Sequence, residues 1–336
     1  MRASLTVGVV AILGLGAGAA AANDSTAELT TGGLVLGKTA DIAMRSEDLA
    51  ISEKEIVVRY RFFNGAPEDR TVTIAFPMPD IVGRTPDDNY AIPSPDAANF
   101  LDFRTTVDGE PVRAEYEQKA LAGGVDVSAR LHTLGVPLSV RSEAAYAALD
   151  RLPRAEQDRL VQEGLAMVDE YDVGKGVERH LVPTWTFRSS FYWRQTFPAS
   201  REVVVEHRYT PSLGGTVGSA LEATPIDPAT LADYKRPYCV DSDFLGSLRG
   251  AQARARAGGE MTFYENRIAY VLTTGANWAG PIGDFRLTVD KGAPNSLVSF
   301  CEEGVKKIGP TTFEVRHANF TPARDLDILI LYRPKP

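Results

Sequence analysis

Side chains that commonly bind metals are scarce in this sequence. Its 336 residues contain only two cysteines and four histidines. The histidines, His132, His180, His207 and His317, show no His-x-x-x-His spacing. A zinc site needs about four closely placed ligands, so we expect no metal and no other cofactor. His207 alternates with valines on one strand face, which indicates a hydrogen-bonded core histidine.

A basic surplus is also lacking. The chain has 36 Lys and Arg against 44 Asp and Glu, a formal charge of −8 at pH 7. Nucleic acids and anionic membranes are bound through basic surfaces, so the sequence predicts neither as a partner. Hydrophobic residues make up 44% and charged residues 24% of the chain. These values are close to globular averages and exclude wholesale disorder and a coiled coil.

The only long apolar run lies at the N-terminus and has the pattern of a signal peptide. Arg2 is followed by an apolar stretch at 7–15 and then by Ala20-Ala21-Ala22, the small-residue pattern cut by signal peptidases. A membrane anchor is the alternative, but a span needs about 20 apolar residues. We therefore expect cleavage after Ala22, a mature chain without a membrane span, and a periplasmic or secreted location.

The two cysteines, Cys239 and Cys301, are 62 positions apart. In an oxidising compartment an even number of cysteines favours a structural disulfide. Two buried free thiols and a redox pair remain as alternatives, although the sequence has no Cys-x-x-Cys motif.

Motifs of common catalytic sites are missing too. The chain has no Gly-x-Ser-x-Gly elbow of a serine hydrolase and no phosphate-binding loop. Paired carboxylates for glycoside cleavage need no fixed spacing, so acidic pairs such as Glu47-Asp48 and Asp169-Glu170 keep this alternative open. Each pair also fits a solvated turn or helix end. The sequence thus predicts no catalytic residue.

Alternation of apolar and polar residues predicts a mainly β fold. We expect antiparallel, sandwich-like sheets with a helical hairpin inserted at about 140–170, its second helix covering 154–170, and a second helical segment at 228–257. Gly37-Lys38 predicts a short hairpin between strands at 34–36 and 42–44. The expected division is a signal peptide at 1–22, an N-terminal β domain at 23–212 and a C-terminal α+β domain at 213–336.

The clearest strand runs over residues 185–197. Aromatic residues occupy five of the seven odd positions, including Trp185 and Trp193, and apart from Tyr192 the even positions are polar and not aromatic. We interpret the aromatic face as sandwich core, with a ligand-stacking surface as the alternative. Two aromatics are candidate binding residues: Tyr192, on the opposite face of the strand, and Trp278, in a Gly/Pro-rich loop where it either caps a core or stands at a surface.

Several blocks of sequence resemble one family of exported bacterial proteins defined only as a domain of unknown function. They are Asn23-Asp24-Ser25-Thr26-Ala27-Glu28-Leu29, Thr31-Gly32-Gly33-Leu34, the run from Ser46 to Ser52, Ala75-Phe76-Pro77-Met78-Pro79-Asp80, the run from Phe191 to Pro198 and the run from Gly275 to Gly283. The resemblance spans the mature chain and implies export and a shared fold, but no activity. The leading hypothesis is a non-catalytic protein that binds an envelope protein or glycan. The alternative is an envelope hydrolase that uses paired carboxylates.

Overall fold

The computed structural model describes residues 23–30, 33–83, 89–172, 174, 176–258 and 263–333. The predicted signal peptide at 1–22 lies outside these residues. Within them the chain is mainly β, with several antiparallel sheets and five α-helices, which confirms the predicted fold class. None of the helices in these ranges is both long and apolar enough to cross a membrane.

The strands follow one another along the chain. They are β1 (Ser25–Thr30), β2 (Gly33–Gly37), β3 (Ile42–Ser52), β4 (Ile56–Asn64), β5 (Arg70–Pro77), β6 (Ile81–Val82), β7 (Asn89–Tyr90), β8 (Arg104–Val107), β9 (Glu110–Val112), β10 (Glu115–Ala122), β11 (Val125–Asp126), β12 (Ala166–Asp172), β13 (Val177–Pro183), β14 (Thr186–Phe197), β15 (Glu202–Tyr209), β16 (Gly214–Thr216), β17 (Tyr264–Tyr270), β18 (Ile282–Asp290), β19 (Leu297–Phe300), β20 (Lys306–Lys307), β21 (Thr312–Phe320) and β22 (Leu326–Tyr332). The helices are α1 (Ser128–Thr133), α2 (Glu143–Asp150), α3 (Arg154–Gln162), α4 (Pro228–Tyr238) and α5 (Ser242–Gly258), with 3-10 turns at Ala220–Glu222 and Thr273–Asn277.

The strands of the described residues form four sheets. A seven-stranded sheet has the order β11-β10-β14-β5-β1-β2, with β6 added beside β14, and an eight-stranded sheet has the order β20-β21-β18-β3-β4-β15-β8-β9. A five-stranded sheet runs β19-β22-β17-β16-β7, and β12 and β13 form a separate hairpin. The predicted hairpin around Gly37-Lys38 is wrong, because β2 pairs with β1 and β3 pairs with β4 in the other large sheet.

The aromatic strand holds the two large sheets together. In β14, Phe187, Phe191 and Trp193 are buried, as the alternation predicts. Phe191 stacks on Phe103, which precedes β8 in the eight-stranded sheet, with ring centroids 4.3 Å apart. Offset stacking of this kind is a favourable arrangement for two aromatic rings. Because Phe191 belongs to one large sheet and Phe103 leads into the other, their contact shows that the inner faces of the two large sheets share one sandwich core.

The eight-stranded sheet takes strands from both halves of the chain. β18 lies beside β3 in parallel, and Leu287 is opposite Leu49. β3 has a bulge between Met44 and Ser46, and a Cβ at Gly283 would lie 2.5 Å from the Arg45 carbonyl oxygen. Only glycine allows the two backbones to approach this closely. The division at 212/213 stays a prediction, and this sheet crosses it.

The predicted helical hairpin is present, but its second helix is shorter than expected. α3 ends at Gln162, and Gly164 follows with φ +71°, a conformation that terminates helices. Residues 163–165 form a turn, and from Ala166 onward the chain belongs to the β12–β13 hairpin instead.

The second helical segment packs on the outer face of the five-stranded sheet. Tyr234 of α4 and Leu248 of α5 share a buried cluster with Leu329 of β22. The Cys239–Cys301 disulfide, with Cα atoms 5.0 Å apart, ties the end of α4 to the residue after β19. This confirms the predicted disulfide.

Candidate functional site

The first described residues of the chain enter the core rather than lying on the surface. Asn23 and Asp24 are fully buried. The backbone N–H of Asn23 donates to Thr274 Oγ1 at 2.9 Å, and Thr274 Oγ1 donates to the Asn23 carbonyl oxygen at 2.7 Å. The indole nitrogen of Trp278 donates to the Asp24 carbonyl oxygen at 2.7 Å. The segment is therefore held by contacts about 250 positions away in sequence.

Asp24 forms a buried pair with His207. Asp24 Oδ1 lies 3.0 Å from His207 Nε2, and both side chains are 0% exposed. Burial raises the pKa of the Asp24 carboxyl, and the neighbouring imidazole opposes that rise. Aromatic rings enclose the pair, since Phe76 and Trp193 lie 4.7 and 5.3 Å from the His207 ring. A carboxylate removed from water in this way depends on its partner.

Glu47 is a second buried carboxyl beside this pair. Its Oε2 accepts a hydrogen bond from Asn23 Nδ2 at 3.0 Å. Tyr270 donates to Oε1 at 3.5 Å, and the Tyr270 hydroxyl lies 3.0 Å from that of Tyr60. Burial, with a smaller effect of Asp24, raises the pKa of Glu47 to about 8, although the bond from Asn23 opposes this.

We call these residues the inner cluster: Asn23, Asp24, Glu47, Tyr60, His207, Tyr270 and Thr274. Three of its buried polar atoms, Asn23 Oδ1, Asp24 Oδ2 and His207 Nδ1, have no hydrogen-bond partner among the residues that the structure describes. Six of the seven residues are 0% exposed and Thr274 is 4% exposed, so the cluster is buried in the core.

A cavity lies close to the inner cluster. It has a volume of about 170 Å³, and Tyr209, at the end of β15, forms part of its wall. Phe76 contacts the rings of both Tyr209 and His207, at 5.8 and 4.7 Å. Phe100, Leu101 and Ile268 give the cavity an apolar side. It is smaller than the roughly 300–1,000 Å³ of sites for drug-sized molecules.

Asp327 supplies an unpaired carboxylate to this cavity. It lies on β22 and is partly buried; among the described residues it has no hydrogen-bond donor, and the positive charge that acts on it is that of Arg324. Burial raises the pKa of this carboxyl, Arg324 lowers it and Asp325 raises it further. The Tyr209 hydroxyl is also buried without a described partner. We call this site the Asp327 cavity.

The other charged groups of the Asp327 cavity already have partners. Arg188 holds both carboxylate oxygens of Asp80, at 2.9 and 2.7 Å. Arg267 donates to the buried Glu265 at 2.7 Å and to the Tyr234 hydroxyl at 3.2 Å. Burial, with a smaller effect of Glu265, raises the pKa of Tyr234 to about 12. These ion pairs fix the walls and leave Asp327 available to a ligand.

A larger groove, of about 750 Å³, lies beside the disulfide. Most of its charged groups are engaged within the protein, and the remaining ones, Asp243 and Glu303, are exposed to solvent. Asp241 caps α5 by accepting from the Phe244 N–H at 2.7 Å, and Lys291 donates to the carbonyl oxygens of Pro294 and Ser296. The Asp327 cavity is therefore the better candidate.

The two aromatic candidates, Tyr192 and Trp278, differ in their surroundings. Tyr192 is on the outer face of β14 and donates to Glu115 Oε2 at 3.0 Å. Trp278 is 4% exposed and stacks near Phe62, with centroids 4.3 Å apart. Trp278 thus caps a core, and neither residue lines the Asp327 cavity. Their roles as binding residues stay predictions.

The sequence reasoning missed the carboxylates that matter here. Glu47 fits a solvated turn in the sequence, but it is fully buried in β3, while Asp48 points outward to Arg286 at 3.3 Å. The only sequence signal for Asp327 is that it is an acidic residue within an apolar strand. Because charged residues are seldom buried, such a position indicates a functional or paired carboxylate. The predicted core histidine, His207, is buried and hydrogen-bonded as expected.

Histidines and acidic residues do not converge on a metal site. Within the described ranges, no group of three or more His, Cys, Asp or Glu side chains is placed to hold a metal ion. His180 pairs with Asp150 at 2.7 Å and His317 with Glu302 at 3.0 Å, each in a separate part of the molecule.

Comparisons with known proteins identify a family but no activity. A family model described as "Domain of unknown function (DUF4424)" matches residues 22–329. No curated protein matches the chain. A crystal structure from Legionella pneumophila, described as that of "a putative nutrient binding protein", is similar with a TM-score of 0.44 and 15% identity, covering 93% of this chain and 70% of that one. These values carry no argument about a ligand.

Proposed function

Because the chain belongs to the DUF4424 family, a domain of unknown function, we propose its function from its own residues. It is an exported protein that binds a small polar molecule in the Asp327 cavity without chemical conversion. The molecule carries amine or hydroxyl hydrogens and a short apolar part.

The unpaired Asp327 carboxylate is the observation that carries this proposal. A buried or half-buried carboxylate without a donor is costly, and a donor from a ligand would remove that cost. The Tyr209 hydroxyl, buried without a described partner, is a second group that a ligand can satisfy. The apolar wall around Phe100 and Leu101 and the small volume of about 170 Å³ limit the ligand to few atoms.

The pairing of Asp80 favours binding over hydrolysis by paired carboxylates. An acid–base pair requires both carboxyl groups to be free to exchange protons. Asp80 lines the same cavity as Asp327, but Arg188 holds both of its oxygens. This arrangement supports a binding site with a single free carboxylate.

Two features support export to the periplasm or secretion. The sequence has the signal-peptide pattern ending at Ala22. The Cys239–Cys301 disulfide is of the kind that persists in oxidising compartments.

A thermal-shift experiment tests the binding site. We expect ethanolamine or glycerol, tried at millimolar concentrations, to raise the Tm of the wild-type protein, because a ligand that binds only the folded state stabilises it. Asp327→Asn and Tyr209→Phe should reduce or abolish the shift. Asp284→Asn, at an exposed position on β18, is the matched control and should keep it.

Two results would contradict the proposal. One is an equal shift in Asp327→Asn and in Asp284→Asn. The other is native mass spectrometry of the protein from its own host in which a bound small molecule stays at full occupancy in Asp327→Asn.

A further inference from the structure

We propose that the inner cluster is a binding site for the chain's own α-ammonium group, created when cleavage after Ala22 makes Asn23 the first residue. This inference depends on the predicted cleavage and is independent of the Asp327 cavity.

The position of the Asn23 nitrogen supports this assignment. The nitrogen is fully buried and already donates one hydrogen bond, to Thr274 Oγ1 at 2.9 Å. A peptide nitrogen has that single hydrogen to donate, whereas an ammonium group has three. Cleavage therefore adds two donors and one positive charge inside the core.

Acceptors for these donors are present and lack partners. Asn23 Oδ1 and Asp24 Oδ2 accept no hydrogen bond from the described residues. The Glu47 carboxyl lies about one Asn side chain away from the Asn23 backbone nitrogen, because the side-chain Nδ2 of Asn23 donates to Glu47 Oε2 at 3.0 Å. The cluster thus has an excess of acceptors that a new ammonium group would balance.

The charge of the cluster is balanced in the same way. The groups that face Glu47 are Asp24, Tyr60 and Tyr270, and His207 lies behind Asp24. Apart from His207, all of these are acids. With a peptide bond at Asn23, burial raises the pKa of Glu47 to about 8. A nearby ammonium favours the carboxylate form and brings that pKa down.

The two forms of the protein should differ in their pH dependence. Glu47 with a raised folded-state pKa contributes stability below its unfolded pKa, and that contribution is lost as the pH rises through about 8. An ion-paired α-amine has a raised pKa as well, so its contribution is full below about pH 7.7 and is lost above it. We expect the cleaved protein to keep a flat Tm up to that pH.

A double-mutant cycle in the exported full-length chain tests the proposal. One variant has a glycine inserted between Ala22 and Asn23, so that cleavage leaves the amine one residue away, and intact mass verifies the new terminus. The insertion should lower the Tm at pH 7 by at least about 2 °C and should introduce a decline between pH 5 and 8. In a Glu47→Gln background the same insertion should lower the Tm by clearly less than it does in the wild-type background.

Amine reactivity gives a second measurement that does not depend on Glu47→Gln folding. The Asn23 amine of the native protein should react with an acylating reagent at least tenfold more slowly than in the unfolded protein. The proposal is overturned if the insertion leaves the Tm unchanged, if its cost is equal in both backgrounds, or if the native amine reacts at the unfolded rate. A native chain that begins elsewhere than Asn23 would instead refute the cleavage on which the proposal rests.

Discussion

The inner cluster and the Asp327 cavity contain the same kind of group in opposite settings. In the inner cluster a carboxyl with a raised pKa contacts buried tyrosine hydroxyls, and in the Asp327 cavity a carboxyl with a raised pKa lines the same cavity as the buried Tyr209 hydroxyl. The inner cluster is closed by aromatic core, so only the chain itself can supply missing donors. The Asp327 cavity is open to a molecule from outside. Enclosure, rather than residue type, therefore distinguishes the inner cluster from the proposed binding site at Asp327.

The largest expected effect comes from breaking the buried pair of the inner cluster. His207→Ala should lower the free energy of unfolding by about 3–5 kcal/mol, because it leaves Asp24 buried without its partner. Chemical denaturation measures the loss. His317→Ala is the matched control, since its partner Glu302 is also 3.0 Å away but the pair is partly exposed, and it should cost less than about 1 kcal/mol. Equal losses of stability in the two variants would show that burial of the pair does not determine how much it stabilises the protein.

An intermediate effect is expected at Trp278. Trp278→Phe keeps an aromatic ring beside Phe62 but removes the indole donor to the Asp24 carbonyl oxygen. An unsatisfied buried carbonyl should cost about 1–3 kcal/mol, measured by denaturation. Unchanged stability would mean that the entering segment is held by its other contacts alone.

The smallest effect is expected in the Asp327 cavity. The folded-state pKa of Asp327 is raised, so its favourable contribution is present at acidic pH and is lost as the pH rises through that pKa. The Asp327→Asn side chain does not titrate. At pH 7 its free energy of unfolding should equal that of the wild type or exceed it by less than about 1 kcal/mol, because the group is partly exposed. The gap should close towards pH 3. A gap that widens in acid would reverse the assigned sign.

Local patterns predicted the parts of the fold that a single segment determines. The register of β14 followed from alternation, since a slip by one residue would have buried Arg188 and Arg194 in place of the aromatic rings. The disulfide followed from the number of cysteines and the expected compartment. The order of strands did not follow, because β18 pairs with β3 across more than 200 positions and no local pattern identifies such a partner.

The candidate sites were less predictable than the fold. Glu47 resembles a surface residue in sequence because it is charged and next to Asp48. Its burial depends on Asn23 and Tyr270, which are 24 and 223 positions away. Asp327 interrupts an apolar strand, and only the structure shows that its carboxylate faces a cavity. Sites built from single polar residues on separate strands leave little signal in any one segment.

The long-range anchoring of the first residues has a consequence for the order of events during biogenesis. Asn23 and Asp24 are held by Thr274 and Trp278, and both synthesis and the predicted export start at the N-terminus. These anchors emerge about 250 residues later, and contacts at such separation form slowly. If cleavage follows Ala22 as the sequence predicts, we expect it to occur before most of the chain has crossed the membrane. Folding of the C-terminal third would then bury Asn23, so the predicted cleavage would have to come before that step.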